Sequence, residues 1–419
     1  MTTSLAQLAS CLDAYDPDAL PVPQAQAFIA RLVQPVREVE AVPLAAALGR
    51  TLAEDIVCGI DVPAHDNAAM DGYSLAGADL AQGRMALAGG ALAGHAFAGR
   101  PAPGQAVRIM TGAVMPEGHD TVIPQEWVTL EANRVAFDPA CVRVGDNRRR
   151  RGEDMAVGQI ALRRGRRLRP ADIGLLAALG QAAVPVFRRA RVAFFSTGDE
   201  LQAVGTPLPP GGVYDSNRHT MAALLQRLDV EGIDLGRVRD DPSALETTLR
   251  AASHCDAVLT TGGVSVGDAD HTRAAIARVG EVLFWKVAMR PGRPMAVGRL
   301  ASGTLLFGLP GNPVAVMVSF YAMVRDALLQ LGGATPEPAL MLPAISRSAL
   351  RKRAGRTEYQ RGVLSRAADG RLHVSVTGEQ GSGVLSSMSQ ANALIVLAHE
   401  RGPVAAGETV DVLPFEGLV

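Results

Sequence analysis

The chain has 419 residues, 48% of them hydrophobic and 20% charged, with 44 glycines and 26 prolines. At roughly 150 residues per domain this is about three domains, each with a core of its own, which excludes a peptide hormone, a disulfide mini-protein and a disordered chain. A formal net charge of -1 gives no long-range field to draw the whole molecule onto nucleic acid or an anionic membrane, so neither is expected as a partner and any anion must be held locally.

The first 55 residues carry helical patterns, the clearest being Leu44, Leu48, Leu52 and Ile56 at every fourth position. From Asp61 to about Asp154 the chain turns rich in Gly, Pro and Ala, with short strand-like pieces at Ala106–Met110 and Thr121–Pro124. A further helical pattern, Pro170–Leu179, is expected to pack back on the N-terminal helices. From Arg188 the rhythm becomes strand, glycine loop, helix. Strands are expected at 192–196, 232–238, 257–261 and 304–309 and helices at 219–228 and 244–252, as in a mainly parallel sheet. Pro336, Pro338 and Pro343 mark a linker, after which short alternating strands such as Leu372–Val376 and Ala393–Leu397 read as a small β domain.

The expected division is therefore a discontinuous N-terminal helical domain (1–60 and 155–187), a β-rich domain (61–154), a central α/β domain (188–336) and a C-terminal β-barrel-like domain (337–419). Leu300–Val324 carries no charge over 25 residues, but Gly308-Leu-Pro-Gly-Asn-Pro313 interrupts it, which predicts strand, loop and buried helix rather than a membrane span. Cys11, Cys58, Cys141 and Cys255 lack metal-ligand spacing, and no basic and apolar leader opens the chain. Both point to a soluble protein of the cytoplasm.

Ligands of open parallel sheets bind beyond the carboxyl ends of the strands, and four loops there are unusual. Thr197-Gly-Asp-Glu200-Leu201 and Arg239-Asp240-Asp241-Pro242 each place two carboxylates at a strand end. Gly262-Gly-Val-Ser265-Val-Gly267-Asp-Ala-Asp270 offers backbone N–H groups and a hydroxyl to a phosphate, and Leu309-Pro310-Gly-Asn-Pro313 closes the set. Carboxylates converging on a glycine loop repel one another unless a cation such as Mg²⁺ lies among them; a tight turn alone is the other reading. Phe284-Trp-Lys286-Val-Ala-Met-Arg290-Pro-Gly-Arg293-Pro294 adds three cations suited to an anion, or to salt bridges with those acids. Lys286 and Lys352 are the only lysines among 41 basic residues, which marks them for roles that suit a compact ammonium.

Outside this domain, Pro63-Ala-His65-Asp66-Asn-Ala-Ala-Met-Asp71-Gly-Tyr73 fits a functional site or a structural turn, and Arg148-Arg-Arg-Arg151-Gly-Glu153-Asp154 fits a solvated surface or a phosphate-binding site. His65 and His271 have no nucleophile beside them and read as structural. Ser382, Ser386, Ser387 and Ser389 are donors to an oxyanion or a polar turn.

Eight of these stretches in one order, Asp66–Tyr73, Ile109–Ala113, Arg148–Asp154, Ser196–Leu201, Tyr214–Asn217, Gly262–Asp270, Pro291–Pro294 and Gly308–Pro313, resemble the molybdopterin molybdenumtransferases, the molybdenum insertase family that includes the E domain of gephyrin. The resemblance spans essentially the whole chain. It implies a four-domain subunit in a homodimer, with the cleft between the α/β domain of one subunit and the second domain of its partner. It implies Mg²⁺-dependent cleavage of adenylylated molybdopterin with release of AMP, while molybdenum from molybdate is bound by the dithiolene sulfurs. Other proteins of molybdenum cofactor biosynthesis are implied partners, and a non-catalytic molybdopterin-binding scaffold or carrier is the alternative.

Carried over motif by motif, the catalytic positions are Asp71, Thr111, Asp154, Glu200, Lys286 and Arg290. Asp240 and Asp270 would hold the metal, and Gly262, Gly263, Ser265, Gly267, Arg293, Pro310 and Ser382 would bind substrate. The chain departs from the family pattern where Arg290 and Arg293 replace lysine, keeping charge but changing geometry, and where His65 replaces an apolar residue.

Overall fold

The structure, a computed structural model, describes Leu5, residues 16–263 and residues 276–415. Cys11, Ser265, Gly267, Asp268, Asp270 and His271 lie outside the described residues. The apolar runs Arg191–Thr197, Ala257–Thr261 and Leu305–Leu309 are buried almost throughout, as strands covered on both faces of a parallel sheet must be. With Glu231–Val238 they form its four parallel strands. Pro294–Leu300 pairs antiparallel with Leu305–Leu309, and Gly280–Lys286 pairs antiparallel with Pro294–Leu300, which returns the outer strand to the direction of the four.

The helices Ser216–Arg227 and Pro242–Ala251 return between the parallel strands. Each starts at an aspartate, Asp215 or Asp241, whose carboxylate accepts a backbone N–H of the first turn. The charge-free stretch resolves as expected into the strand Leu305–Leu309 and a helical run over Pro313–Leu331, the latter packed into the largest core. Among the described residues it is the helix long and apolar enough to cross a membrane, and its burial in that core accounts for its composition.

Between the two N-terminal segments the chain forms a second six-stranded sheet, in the order Thr121–Pro124, Gly72–Leu75, Gln105–Ile109, Arg84–Ala91, Arg134–Phe137, Val128–Glu131. At the C-terminal end Thr357–Arg366 pairs with both Leu372–Val376 and Ala393–Leu397. Leu342–Ser346 and Thr409–Pro414 join those two, so the strands close into a small barrel.

The helical reading of residues 44–56 is corrected. Val39–Pro43 is a strand paired with Ala183–Phe187, Leu44–Ala46 is a single 3₁₀ turn, and Ile56–Val57 pairs with Ile160–Leu162. Pro43 and the left-handed Gly49 (φ +79°) break the helix, and Leu48 is exposed while Leu52 and Ile56 are buried. The helix Val22–Leu32 is also displaced from its expected neighbours. Phe28 meets Trp285 edge to face at 5.1 Å within the core of the α/β sheet. Pro170–Ala178 instead contributes Leu176 to a separate core with Val42, Leu52, Ile56 and Val186. Among the described residues the N-terminal region is therefore largely strand and turn, and its helices Val22–Leu32 and Pro170–Ala178 enter different cores.

Lys352 is 5% exposed, and its ammonium donates to the carbonyl oxygens of Arg353 (2.6 Å), Arg401 (3.0 Å) and His399 (3.4 Å). Burial lowers its pKa below the ordinary lysine value. A tetrahedral head fits three converging carbonyls, whereas a planar guanidinium does not. Lys352→Met is predicted to lower stability by about 2–3 kcal/mol, the range for stranding buried polar groups, and Lys352→Arg to fail to restore it, both read by urea unfolding.

His119 is 8% exposed and shares a hydrogen with the Ser74 hydroxyl at 3.0 Å. Burial holds its pKa below the usual 6.5, against the opposing pull of Asp120 and Asp79. An unfolded imidazole takes a proton near pH 6.5 and the folded one only lower. Stability is thus present above pH 6.5 and lost as pH falls toward the folded pKa, by at most about 1.4 kcal/mol per pH unit. Unfolding midpoints between pH 7.5 and 5.5 should show this slope in the wild type and a shallower one in His119→Gln.

Candidate active site

In the central sheet Ser196 stands opposite Thr261, and Thr261 opposite Leu309. Three strands therefore end at one level, and the loops that leave them converge. They open on a cavity of about 490 Å³ lined by Thr197, Gly198, Glu200, Leu201, Asn217, Asp240, Gly262 and Gly263, by Arg290–Arg293 and Pro310–Asn312, and by Gln380 and Ser382 from the C-terminal region. That is ample for a nucleotide- or pterin-sized ligand.

Gly262 has φ +86°, and a Cβ there would lie 2.5 Å from the Thr197 carbonyl oxygen, so only glycine fits. Its N–H donates to the Leu309 carbonyl at 3.1 Å. This corrects the expectation that the Gly262 N–H serves a phosphate; that donor is spent on closing the sheet, and Gly262 contributes room. Gly292 (φ +98°) would place a Cβ 2.4 Å from the Ser319 hydroxyl, and its bareness seats the Arg290–Arg293 turn directly on the buried helix.

Of the four carboxylates expected at two strand ends, Glu200 and Asp240 reach the cavity wall. Asp199 stands behind Asp240, its carboxylate 3.4 Å from the Asp240 N–H. Asp241 instead caps a helix. It accepts from Ser243 and from the Ala244 N–H at the start of the following helix, and those bonds hold its carboxyl below the usual range. Among the described residues no group of three or more His, Cys, Asp or Glu encloses a metal.

Arg290 belongs to a two-residue strand paired with Thr357–Glu358 of the barrel, which ties the cationic turn to the C-terminal region. Arg361, 1% exposed, lies behind it. Its guanidinium donates to the Ser387 hydroxyl (3.0 Å) and to the carbonyls of Glu379 (3.1 Å), Gln380 (3.2 Å) and Gly381 (2.9 Å). Burial, with Arg290 adding repulsion, holds its pKa below the ordinary arginine value. The serines divide accordingly: Ser382 lines the cavity, Ser387 serves Arg361, and Ser386 and Ser389 lie on the short helix Leu385–Gln390 away from both.

The cavity wall thus gathers Glu200, Asp240, Gly262, Gly263, Arg290, Arg293, Pro310 and Ser382. It does not include Lys286, whose ammonium pairs with Asp18 at 2.7 Å, nor Asp71, Thr111 and Asp154. Those three belong to the region between the N-terminal segments. There the N–H and hydroxyl of Thr111 both reach one Asp71 oxygen, at 2.7 and 2.6 Å, and hold that carboxyl below the usual range. The arginine run begins as a two-residue strand, Arg148–Arg149, paired antiparallel with Asn67–Ala68, and is tied to acids, Arg148 to Asp66 at 3.4 Å and Arg151 to Asp61 at 2.5 Å.

Asn217, Gln380 and the buried Arg361 and Asp215 were not among the expected site residues. Tyr214-Asp-Ser-Asn217 was visible as a motif without a role. Arg361 lies inside a strand pattern that gave no cue.

Three family models match the chain: MoeA N-terminal region (domain I and II) over residues 20–180, probable molybdopterin binding domain over 193–330, and MoeA C-terminal region (domain IV) over 343–415. The molybdopterin molybdenumtransferase of Haemophilus influenzae is 42% identical over 385 residues, covering 91% of this chain and 95% of that protein. The Bacillus subtilis protein of the same name is 35% identical over 388 residues, 90% of each. The crystal structure of the molybdopterin biosynthesis moeA protein from Pyrococcus horikoshii superposes with a TM-score of 0.82 at 29% identity, over 95% of this chain and 100% of that one. The chain belongs to the molybdopterin molybdenumtransferase family, a family of transferases in molybdenum cofactor biosynthesis.

Proposed function

We propose that the protein inserts molybdenum from molybdate into adenylylated molybdopterin, with Mg²⁺-dependent release of AMP. The observation that carries this reading is that one cavity is lined together by exposed carboxylates, Glu200 and Asp240, by the Gly262-Gly263 rim and by the arginines Arg290 and Arg293. Such a wall suits a ligand that is anionic at both ends and metal-linked at one.

Mg²⁺ binds through one or two carboxylates plus substrate phosphate rather than in a closed protein cage, so a wall carrying Asp240 and Glu200 fits it without a three-ligand cluster. Asp240 would hold the ion together with Asp270, and when bound the ion would neutralise phosphate charge as a Lewis acid. Glu200 would orient ligand or water. The rim at Gly263 would take the adenylate phosphate, and Arg290 and Arg293 the pterin phosphate or molybdate, each guanidinium offering two parallel N–H donors to an oxyanion. Lys286, held by Asp18 beside the turn, would add positive charge to that end.

Asp71, Thr111 and Asp154 fit the same chemistry as groups supplied by a partner subunit, which is why we include a homodimer in the proposal. The four-part division at residues 60, 154, 187 and 336 goes with it, as does a cytoplasmic location, where these substrates would be met.

AMP release from adenylylated molybdopterin, followed by chromatography with and without Mg²⁺ and molybdate, tests the reading. Release should require both, and Asp240→Asn should slow it by about 100-fold or more, the scale of removing a group that acts in the transition state. Tight substrate binding with no release would instead mark a carrier or scaffold.

A further inference from the structure

The first turn of the helix Ser216–Arg227 is fixed from three sides. Asp215, 2% exposed, accepts from the Ser196 hydroxyl at 3.0 Å, and from the N–H and Nε of Arg218, both at 3.2 Å. The Ser196 hydroxyl in turn accepts from the Thr261 hydroxyl at 3.1 Å. The turn is thereby locked to two strand ends beneath the cavity.

Asn217 sits on this turn and lines the cavity while only 9% exposed. Its Nδ2 donates to the Gly311 carbonyl at 2.7 Å. A carbonyl can only accept, so this bond fixes which way the amide lies. The remaining atom, Oδ1, is buried and has no hydrogen-bond partner among the described residues. An unpaired buried acceptor costs about 1–3 kcal/mol, and turning the amide to find a partner would give up the bond from Nδ2 to Gly311.

We infer that Asn217 is a specificity-determining residue whose Oδ1 accepts a hydrogen bond from the amino group of the substrate's heterocycle. This rests on the proposed function, whose substrate carries two such groups, one on adenine and one on the pterin. A pocket built around a buried acceptor rejects a ligand lacking the donor far more strongly than it rejects a change of size. Asn217 therefore reads the base rather than the phosphates, which the rest of the wall addresses.

The test is titration calorimetry of the full chain with Mg²⁺ and two matched ligand pairs. One pair is AMP against purine riboside 5′-monophosphate, which lacks the amino group. The other is neopterin monophosphate against its deaminated lumazine counterpart. The wild type should favour the amino member of one pair by about tenfold, the ratio that corresponds to 1.4 kcal/mol, and the pair that discriminates names the ring read.

Asn217→Leu should bring that ratio close to one. Asn217→Asp, which keeps an acceptor but loses the donor to Gly311, should retain it. A loop distorted by loss of the Gly311 clamp would weaken both members equally and leave the ratio unchanged. Equal binding within both pairs by the wild type, or a ratio that survives Asn217→Leu, overturns the inference while leaving the AMP-release assay as a separate judgement of the function.

Discussion

The registry of three parallel strands is the constraint on which the rest of the molecule depends. Because Ser196, Thr261 and Leu309 stand level across the sheet, the loops that follow cannot spread apart. The bond from Gly262 N–H to Leu309 O closes the seam between two of them, and Gly262 is the residue whose missing side chain permits it. A one-residue slip would turn every buried side chain of the strand to the opposite face and would carry its loop out of the cavity. Alternate residues enter two different cores, Val192, Phe194, Leu305, Phe307 and Leu309 one and Ala193, Phe195 and Leu306 the other, which fixes that registry, so core packing and site geometry are one problem here.

The cavity is completed by chain from far away in the sequence. The two-residue strand at Arg290 pairs with the C-terminal barrel, and the Arg361 guanidinium gathers three consecutive carbonyls of residues 379–381, so Gln380 and Ser382 are presented to the α/β domain from a rigid support. A buried guanidinium is costly to desolvate unless its donors are used, and here four bonds satisfy it. The same core that receives the helix Val22–Leu32 also takes in Tyr359, Leu394 and Leu413 of the barrel, which binds the cationic turn, the barrel and the sheet into one packed unit.

Much of this was legible in the sequence for physical reasons. Three of the four parallel strands were visible because strands buried on both faces need unbroken apolar runs, whereas the fourth, Glu231–Val238, is a largely exposed edge strand. The charge-free stretch was separated from a membrane span by Pro310 and Pro313, which a continuous helix would not tolerate. The Glu200, Asp240 and Arg290–Arg293 loops were picked out because carboxylates clustered at strand ends beside a glycine loop repel one another unless a cation or cationic group lies near, and the structure gathers them on one wall. What failed did so where tertiary pairing overrode a local pattern. Leu44 to Ile56 keeps helical spacing, yet Val39–Pro43 and Ile56–Val57 find partners more than 100 residues away. Lys352 was marked as unusual by type alone, and its carbonyl partners could not be read from composition. Arg361, Asp215 and the unpartnered oxygen of Asn217 were likewise invisible, because burial and hydrogen-bond satisfaction are properties of the folded chain.

The central claim is that the acidic and glycine-rich side of the cavity and its two-arginine side act on opposite ends of one ligand. A crystal grown with Mg²⁺, AMP and molybdate tests it most directly, because the anomalous scattering of molybdenum locates the oxyanion independently of any fitted density. The account predicts a molybdenum peak beside the guanidinium groups of Arg290 and Arg293, with the AMP phosphate at the Gly263 rim near Asp240. A molybdenum peak outside this cavity, or AMP bound across the arginines with the glycine rim empty, would contradict it.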